Sequence, residues 1–429
     1  MNDINTLAVD QLNDPRYLKN VTRMGDEFPI VANRDVHSTS GIKLINAGMR
    51  INSSLYERLL QHRLASDLEQ CLTAENTVNG KNLAAMAATM MREDDRLSLI
   101  QSVELEGMKL PDILKQVPLN PVIAFKLTVM RETQPELFRH SIYVSLVSTY
   151  IGIQLKLSKI QLVQLATASL LHDIGILHVD PVLLKRGYMM TEAERRHLYV
   201  HSVTGWMILK SHPEYAPEVL DAVLQHHERL DGSGYPRGLS GNKIGLFGQI
   251  IAVAEIVASR YGKDVQEFGW SRLETILKLN LRRYGRSIVP YLKVFYQDEN
   301  VIPTCSESDK QAAKNKMEKI STIFTIWEAA WKNCNAGDPV CAFIAERMTS
   351  LKMEIVDAGL NLQANDENLR DIHEDSRACF DARILLEETL WQLHSILQET
   401  RRRWPANNLN LIPDVMDLWL KETESLLLE

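Results

Sequence analysis

Residues 170–180 read LLHDIGILHVD, which sets a histidine and an aspartate, His172 and Asp173, side by side in an apolar run. An unpaired carboxylate in such surroundings is costly, so Asp173 requires donors or a cation. Groups of the same chemistry surround it: eight of the twelve histidines fall between His140 and His227. Glu136 and His140 are four apart, a spacing that puts both on one helix face. His201 follows in RRHLYVHSVTGWMIL, with His197 four residues before it, and the doublet His226-His227 opens HHERLDGSGYPRGL. Adjacent helical residues point about 100° apart, so a doublet can serve two neighbouring cations. Mixed imidazole and carboxylate donors suit iron, manganese or similar divalent ions. Each residue also has a plainer reading. Thr133 and Glu136 fit a T-x-x-E capping box around Pro135. Asp173 could cap the turn at Gly175, and His197 reads as a surface histidine. The cluster, rather than any one member, points to a metal centre.

Taken together, these motifs resemble the HD-GYP family, a branch of the HD phosphohydrolases. The HD corresponds to His172-Asp173 and the GYP to Gly234-Tyr235-Pro236, and the resemblance runs from about Pro121 to Trp270. It implies hydrolysis of the bacterial second messenger cyclic di-GMP at a centre of two or three divalent transition metals, often iron or manganese. Carried over residue by residue, the family's metal ligands fall on Glu136, His140, His172, Asp173, His201, His226 and His227. An eighth falls on Glu255 in IIAVAEIVA, where the family has the aspartate of a V-A-D segment. His172 and Asp173 also take the catalytic role, Asp173 by bridging the metals or orienting the hydroxide that such a pair generates.

The departures lie on the substrate side. Ile176 stands where the family commonly has the lysine of HDIGK, and SRYGKD replaces the usual basic stretch after the V-A-D segment. Arg260, Lys263 and Lys185 are the candidate substrate cations, although Lys185 also reads as a solvated turn. Two alternatives therefore stay open. One is a catalytically weak or inactive nucleotide-sensing or partner-docking module; the other is a phosphodiesterase for another cyclic dinucleotide, such as cyclic GMP-AMP. The partners implied are a cyclic dinucleotide, with diguanylate-cyclase-type signalling proteins and a second copy of the chain as further candidates.

The elements that must position these residues are mostly helices. The expected fold is mainly α: an HD-type helical metallophosphohydrolase core, a small α/β N-terminal domain and a C-terminal helical extension. The boundaries read as 1–80 for the mixed N-terminal domain, 81–120 for a helical connector, 121–300 for the metal domain and 301–429 for C-terminal helices outside the chemistry. FPIVANRDVHSTSGIKLINAGMRI reads as one or two hairpins, and NSSLYERLLQHRLASDLEQCL as an amphipathic helix capped near Asn52 to Ser54. The 429 residues are 45% hydrophobic and 24% charged with net charge −7, which describes a globular chain and argues against a nucleic-acid coat protein. Five cysteines without a CxxC pair suit a reducing compartment. No secretory leader and no apolar run approaching a membrane span is apparent, so the sequence reads as cytoplasmic and independent of a membrane.

Overall fold

A computed structural model of the chain describes residues 14–185, 188–259, 269–296, 305–335, 337–360, 376–404 and 412–428. By compactness the chain falls into two units, Met1–Tyr261 with Arg283–Phe295, and Gly262–Arg282 with Tyr296–Glu429.

The first unit opens with helix α1 (Pro15–Glu27). Asp14 starts it by accepting the backbone N–H groups of Arg16 and Tyr17, and Pro15 occupies the first turn, where its missing N–H costs nothing. Short strands follow: β1 (Ile30–Ala32), β2 (Val36–His37), β3 (Lys43–Ile45) and, after α2 (Tyr56–Leu60), β4 (Leu72–Ala74). β1 pairs antiparallel with β4, and β2 with β3. The long helix expected from Asn52 does not form. Asn52 caps only a 3-10 turn at Ser53–Leu55, α2 ends at Leu60, and Leu64 bridges to Ser38 instead. Local amphipathicity yields there to strand pairing and burial of Leu59, Leu64 and Leu68. Next come α3 (Gly80–Glu93), α4 (Asp95–Ser98), the hairpin β5 (Glu104–Leu105) and β6 (Met108–Lys109), and α5 (Leu110–Leu114).

The core of this unit is built from α6 (Pro121–Thr133), α7 (Pro135–Gln154), α8 (Lys159–Leu171), α9 (Glu192–Tyr199), α10 (His201–Lys210), α11 (Pro217–Gln225) and α12 (Leu246–Ala258). α7 packs on α8 and α12, and α11 on α8, α10 and α12. α8 is begun by a capping box of Ser158 and Gln161, and eight of its residues from Leu162 to Leu171 are buried. The stretch Lys159–His178 has the length and apolar character of a membrane span, which corrects the expectation that no run comes close. Most of it is buried inside the protein, the environment of a core helix.

The second unit is helical: α13 (Gly269–Leu279), then, after the short α14 (Leu281–Tyr284), α15 (Glu307–Lys332), α16 (Pro339–Asp357), α17 (Ser376–Arg403) and α18 (Asp414–Leu428). Its core gathers Met317, Ile320, Phe324, Ile344, Leu393 and Trp419. Cys305 is paired with Cys379 and Cys334 with Cys341, whereas Cys71 in the first unit is free and buried. Cysteine spacing alone did not foretell these pairs.

Candidate metal centre

Three of the site histidines sit where a helix gives out. His172 ends α8, His226 ends α11 and His201 begins α10. Each ring turns back on its own chain: Nδ1 donates at 2.7 Å to the carbonyl three residues earlier, Ser169 for His172, Leu198 for His201 and Val223 for His226. In the neutral ring that bond fixes the tautomer, with Nε2 as the acceptor facing inward.

These nitrogens converge. His201 Nε2 lies 3.2 Å from Nε2 of both His226 and His227. For His201 and His226, whose Nδ1 atoms are the donors, this sets two acceptors face to face, an arrangement that a cation between them relieves. Asp173 joins them with one oxygen: Oδ1 is 3.3 Å from His201 Nε2 and 3.8 Å from His226 Nε2. Its other oxygen, Oδ2, is 3.2 Å from His172 Nε2. Glu255, reaching from α12, places Oε1 2.8 Å from His172 Nε2 and 3.0 Å from His140 Nε2. The result is two groups with one shared member: Asp173, His201, His226 and His227; and His140, His172, Asp173 and Glu255. Each offers four donor atoms within 4.8 Å of one another, so the residues would suit one cation per group, with Asp173 common to both.

The electrostatics agree with a cation site. Burial opposes charge on Asp173, yet His172 and His201 hold its carboxyl well below the usual range. Burial likewise opposes Glu255, and His140 and His172 bring it well below. Burial pushes the His226 pKa down to about 3, helped by His172 and His201, and drives His227 well down too. His172 goes the other way: burial works against its proton, but Asp173 and Glu255 raise its pKa well above that of a free histidine. Metal binding would exchange that proton for a heavier charge.

Backbone packing holds the frame. After Asp173 the chain makes a 3-10 turn, Ile174–His178, pressed against α10. A Cβ on Gly175 would lie 2.0 Å from the His201 carbonyl oxygen and 2.8 Å from the Gly205 nitrogen, so the turn and the helix that begins with His201 touch through backbone. After the His226-His227 doublet, the buried Glu228 accepts from the N–H groups of Arg237 at 2.7 Å and Leu239 at 2.9 Å, and Gln225 accepts from Gly245 at 2.7 Å ahead of α12. A Cβ on Gly234 would meet the His227–Arg229 backbone at 2.4–2.5 Å, so only glycine lets this loop lie so close. Tyr235 then stacks between His227 at 4.6 Å and Tyr199 at 3.9 Å.

Residues 124–267 match the model of the HD domain. The matched segment contains every member of the two donor groups. A Pseudomonas aeruginosa cyclic di-GMP phosphodiesterase is 28% identical over 197 residues, 46% of this chain and 47% of that protein. A Vibrio cholerae 3′3′-cGAMP-specific phosphodiesterase is 29% identical over 205 residues, 46% of this chain and 44% of the other. A Thermotoga maritima cyclic di-GMP phosphodiesterase is 37% identical over 122 residues, 28% of this chain and 33% of the other. The matches thus span less than half the length of these relatives.

Not every expected residue meets the cluster. Glu136 is exposed in the first turn of α7 and belongs to neither group. Its capping box is absent as well: Gln134 is the N-cap without a side-chain bond, and Thr133 donates to Val129 in α6. Lys185 is exposed beyond the Pro181–Leu184 turn. Arg260 and Lys263 lie outside the described residues. Ile176 is buried in a small apolar cluster with Val179 and Leu183, against Leu137, Met190 and Leu198. Sequence reasoning missed Glu228, Gln225 and Tyr199. Glu228 and Gln225 flank the histidine doublet, and burial of a charged group there was the one signal available.

Proposed function

We propose that the chain is a metal-dependent phosphodiesterase that opens a cyclic dinucleotide, with cyclic di-GMP as the first candidate substrate. The observation that carries the reading is the shared Asp173 carboxylate, one oxygen toward each group of donors. Two divalent ions in these positions would supply charge neutralisation at the phosphoryl oxygens and a water of lowered pKa. The protein's own part is to hold that arrangement. His172, His201 and His226 present lone pairs whose direction is fixed by backbone carbonyls. Asp173 and Glu255 keep negative charge at a buried place, and the Tyr199–Tyr235 stack braces His227. Iron or manganese fits the mixed imidazole and carboxylate donors. Glu136 remains a candidate ligand for a third ion, and Lys185, Arg260 and Lys263 remain candidate phosphate contacts.

A second substrate, 3′3′-cGAMP, is supported by the 29% identity to a phosphodiesterase specific for that dinucleotide. The location proposed is the cytoplasm, carried over from the substrate; there the two cysteine pairs would be kept as thiols. The test is chromatographic analysis of products after incubating iron- or manganese-loaded protein with each cyclic dinucleotide. Linear dinucleotide or mononucleotide from either supports the reading. Metal-loaded protein that binds nucleotide without turnover would make the chain a sensing module.

A further inference from the structure

The turn that follows Asp173 has a second face, away from α10, and α1 occupies it. Asn20 of α1 donates its side-chain amide to the Leu177 carbonyl at 3.3 Å, a bond that joins residues 157 apart in the chain and is buried. Tyr17, one helical turn before, stacks on the His178 ring with centroids 5.0 Å apart and planes within 16°. Asp14, which starts α1 by capping it, sets Oδ2 3.6 Å from His178 Nδ1. Three consecutive contacts of one helix therefore fall on one five-residue turn.

None of these groups is a natural choice for packing alone. Asn20, Asp14 and His178 are 7%, 2% and 2% exposed. A buried amide or carboxylate is tolerated where it satisfies a specific partner, and an apolar residue of like size would fill the same space without that demand. The stack is itself anchored from behind. The Lys126 ammonium of α6 sits 3.8 Å from the Tyr17 ring centroid and pairs with the buried Glu69. The turn is thus held between α1 and α10, and its first neighbour in the chain is the carboxylate common to both donor groups.

The geometry points to α1 as a clamp on the metal centre, in which Asn20 and Tyr17 are positioning residues that hold the 174–178 turn, and through it Asp173, in register with His201. The inference rests on the metal-centre reading and deepens it: the N-terminal part of the chain sets how firmly that centre keeps its ions. Nothing in it requires a particular nucleotide substrate.

The test uses the full chain, freed of metal and titrated with Co²⁺, with affinity read by chelator competition and ligand geometry by the visible absorption of bound Co²⁺. Asn20→Leu keeps the branched shape and the number of side-chain heavy atoms and removes the donor. Thr22→Val is the control: Thr22 is buried on the same helix, and its hydroxyl bonds only within α1, to Leu18 and Lys19. Asn20→Leu should weaken Co²⁺ binding on the order of tenfold to a hundredfold, as loss of a group that orients a ligand does, with a changed spectrum. Thr22→Val should match the wild type. Wild-type affinity and spectrum in a folded Asn20→Leu protein would overturn the clamp. Hydrogen exchange on the wild type needs no variant: Mn²⁺ should slow exchange in 174–178 and in 15–27 together, and slowing in the turn alone would also overturn it. A wild type that takes up neither ion fails at the metal centre itself and removes the clamp with it. Absence of phosphodiesterase activity beside an intact Co²⁺ response would count only against the proposed substrate.

Discussion

Replacing Gly175 by alanine adds one methyl group at the tightest point of the metal centre. The new Cβ would start 2.0 Å from the His201 carbonyl oxygen and 2.8 Å from the Gly205 nitrogen. Ordinary contact returns only if the turn and α10 separate by roughly 1.4 Å. Both obstructing atoms are backbone, so no rotamer change relieves them. Gly175 is not among the glycines with left-handed φ, so contact is the only penalty. Overpacking of this kind costs about 1–3 kcal/mol, and rigid neighbours put it near 3. The gain from a stiffer unfolded chain, about 0.4–1 kcal/mol, works the other way and is too small to cancel it. The net loss expected is ~2 kcal/mol. His201 begins the displaced helix, and a shift of about 1 Å at a reacting centre can cost ~10²-fold in rate. Denaturant unfolding of the metal-free protein reads the first effect, and metal content with turnover reads the second. A Gly175→Ala protein with stability within about 0.5 kcal/mol of wild type and full metal uptake would refute the reasoning.

Further outcomes follow from other parts of the structure. His172→Ala and Asp173→Ala should each lower bound metal, measured by elemental analysis, far more than His212→Ala, whose ring lies edge-on to Tyr215 and outside both donor groups. Ile176→Lys should cost about 1.5–3 kcal/mol in thermal or denaturant unfolding, the worth of a buried aliphatic side chain, and should not raise turnover, because an apolar cluster occupies that place; a stable variant with higher activity would show that the missing cation limits the site. Glu69→Gln should destabilise the protein by about 3–5 kcal/mol, since Lys126 would be left buried and unpaired. Burial opposes the Glu69 charge, but Lys126 holds its pKa below the ordinary glutamate value. Its stabilisation is therefore complete above the unfolded-state pKa of ~4.3 and drains as pH falls through the lower folded one, so the variant should lose stability less steeply on acidification.

How much of this was legible in the sequence depended on the reach of each interaction. His172-Asp173 and His226-His227 were visible because a polar pair closing an apolar helix needs a partner, and they do end α8 and α11. The mainly helical core was legible for the same reason, in apolar spacing. Glu136 shows the limit of spacing. It lies four residues from His140, yet α7 starts only one residue before it, and its side chain is left exposed. The helix expected from Asn52 failed because pairing with distant residues outweighed a local amphipathic pattern. Ile176 looked like a simple loss, whereas neighbours from Leu137 to Leu198 make it part of a small core. The Asn20–Leu177 bond had no local signal, since its partners are 157 residues apart.

The cysteine pairs give the two units separate chemical handles. All four bonded sulfurs belong to the second unit, and the first holds only the free Cys71. A thiol reductant thus has bonds to cut in the helical bundle and none to cut around the candidate metal centre, where a chelator would act. The two bonds are also unequal: Cys305–Cys379 closes a span of 74 residues and Cys334–Cys341 one of 7, and the longer closure restricts the unfolded chain more. In a melting experiment, the transition that moves with reductant would report the bundle, and the one that moves with chelator would report the first unit.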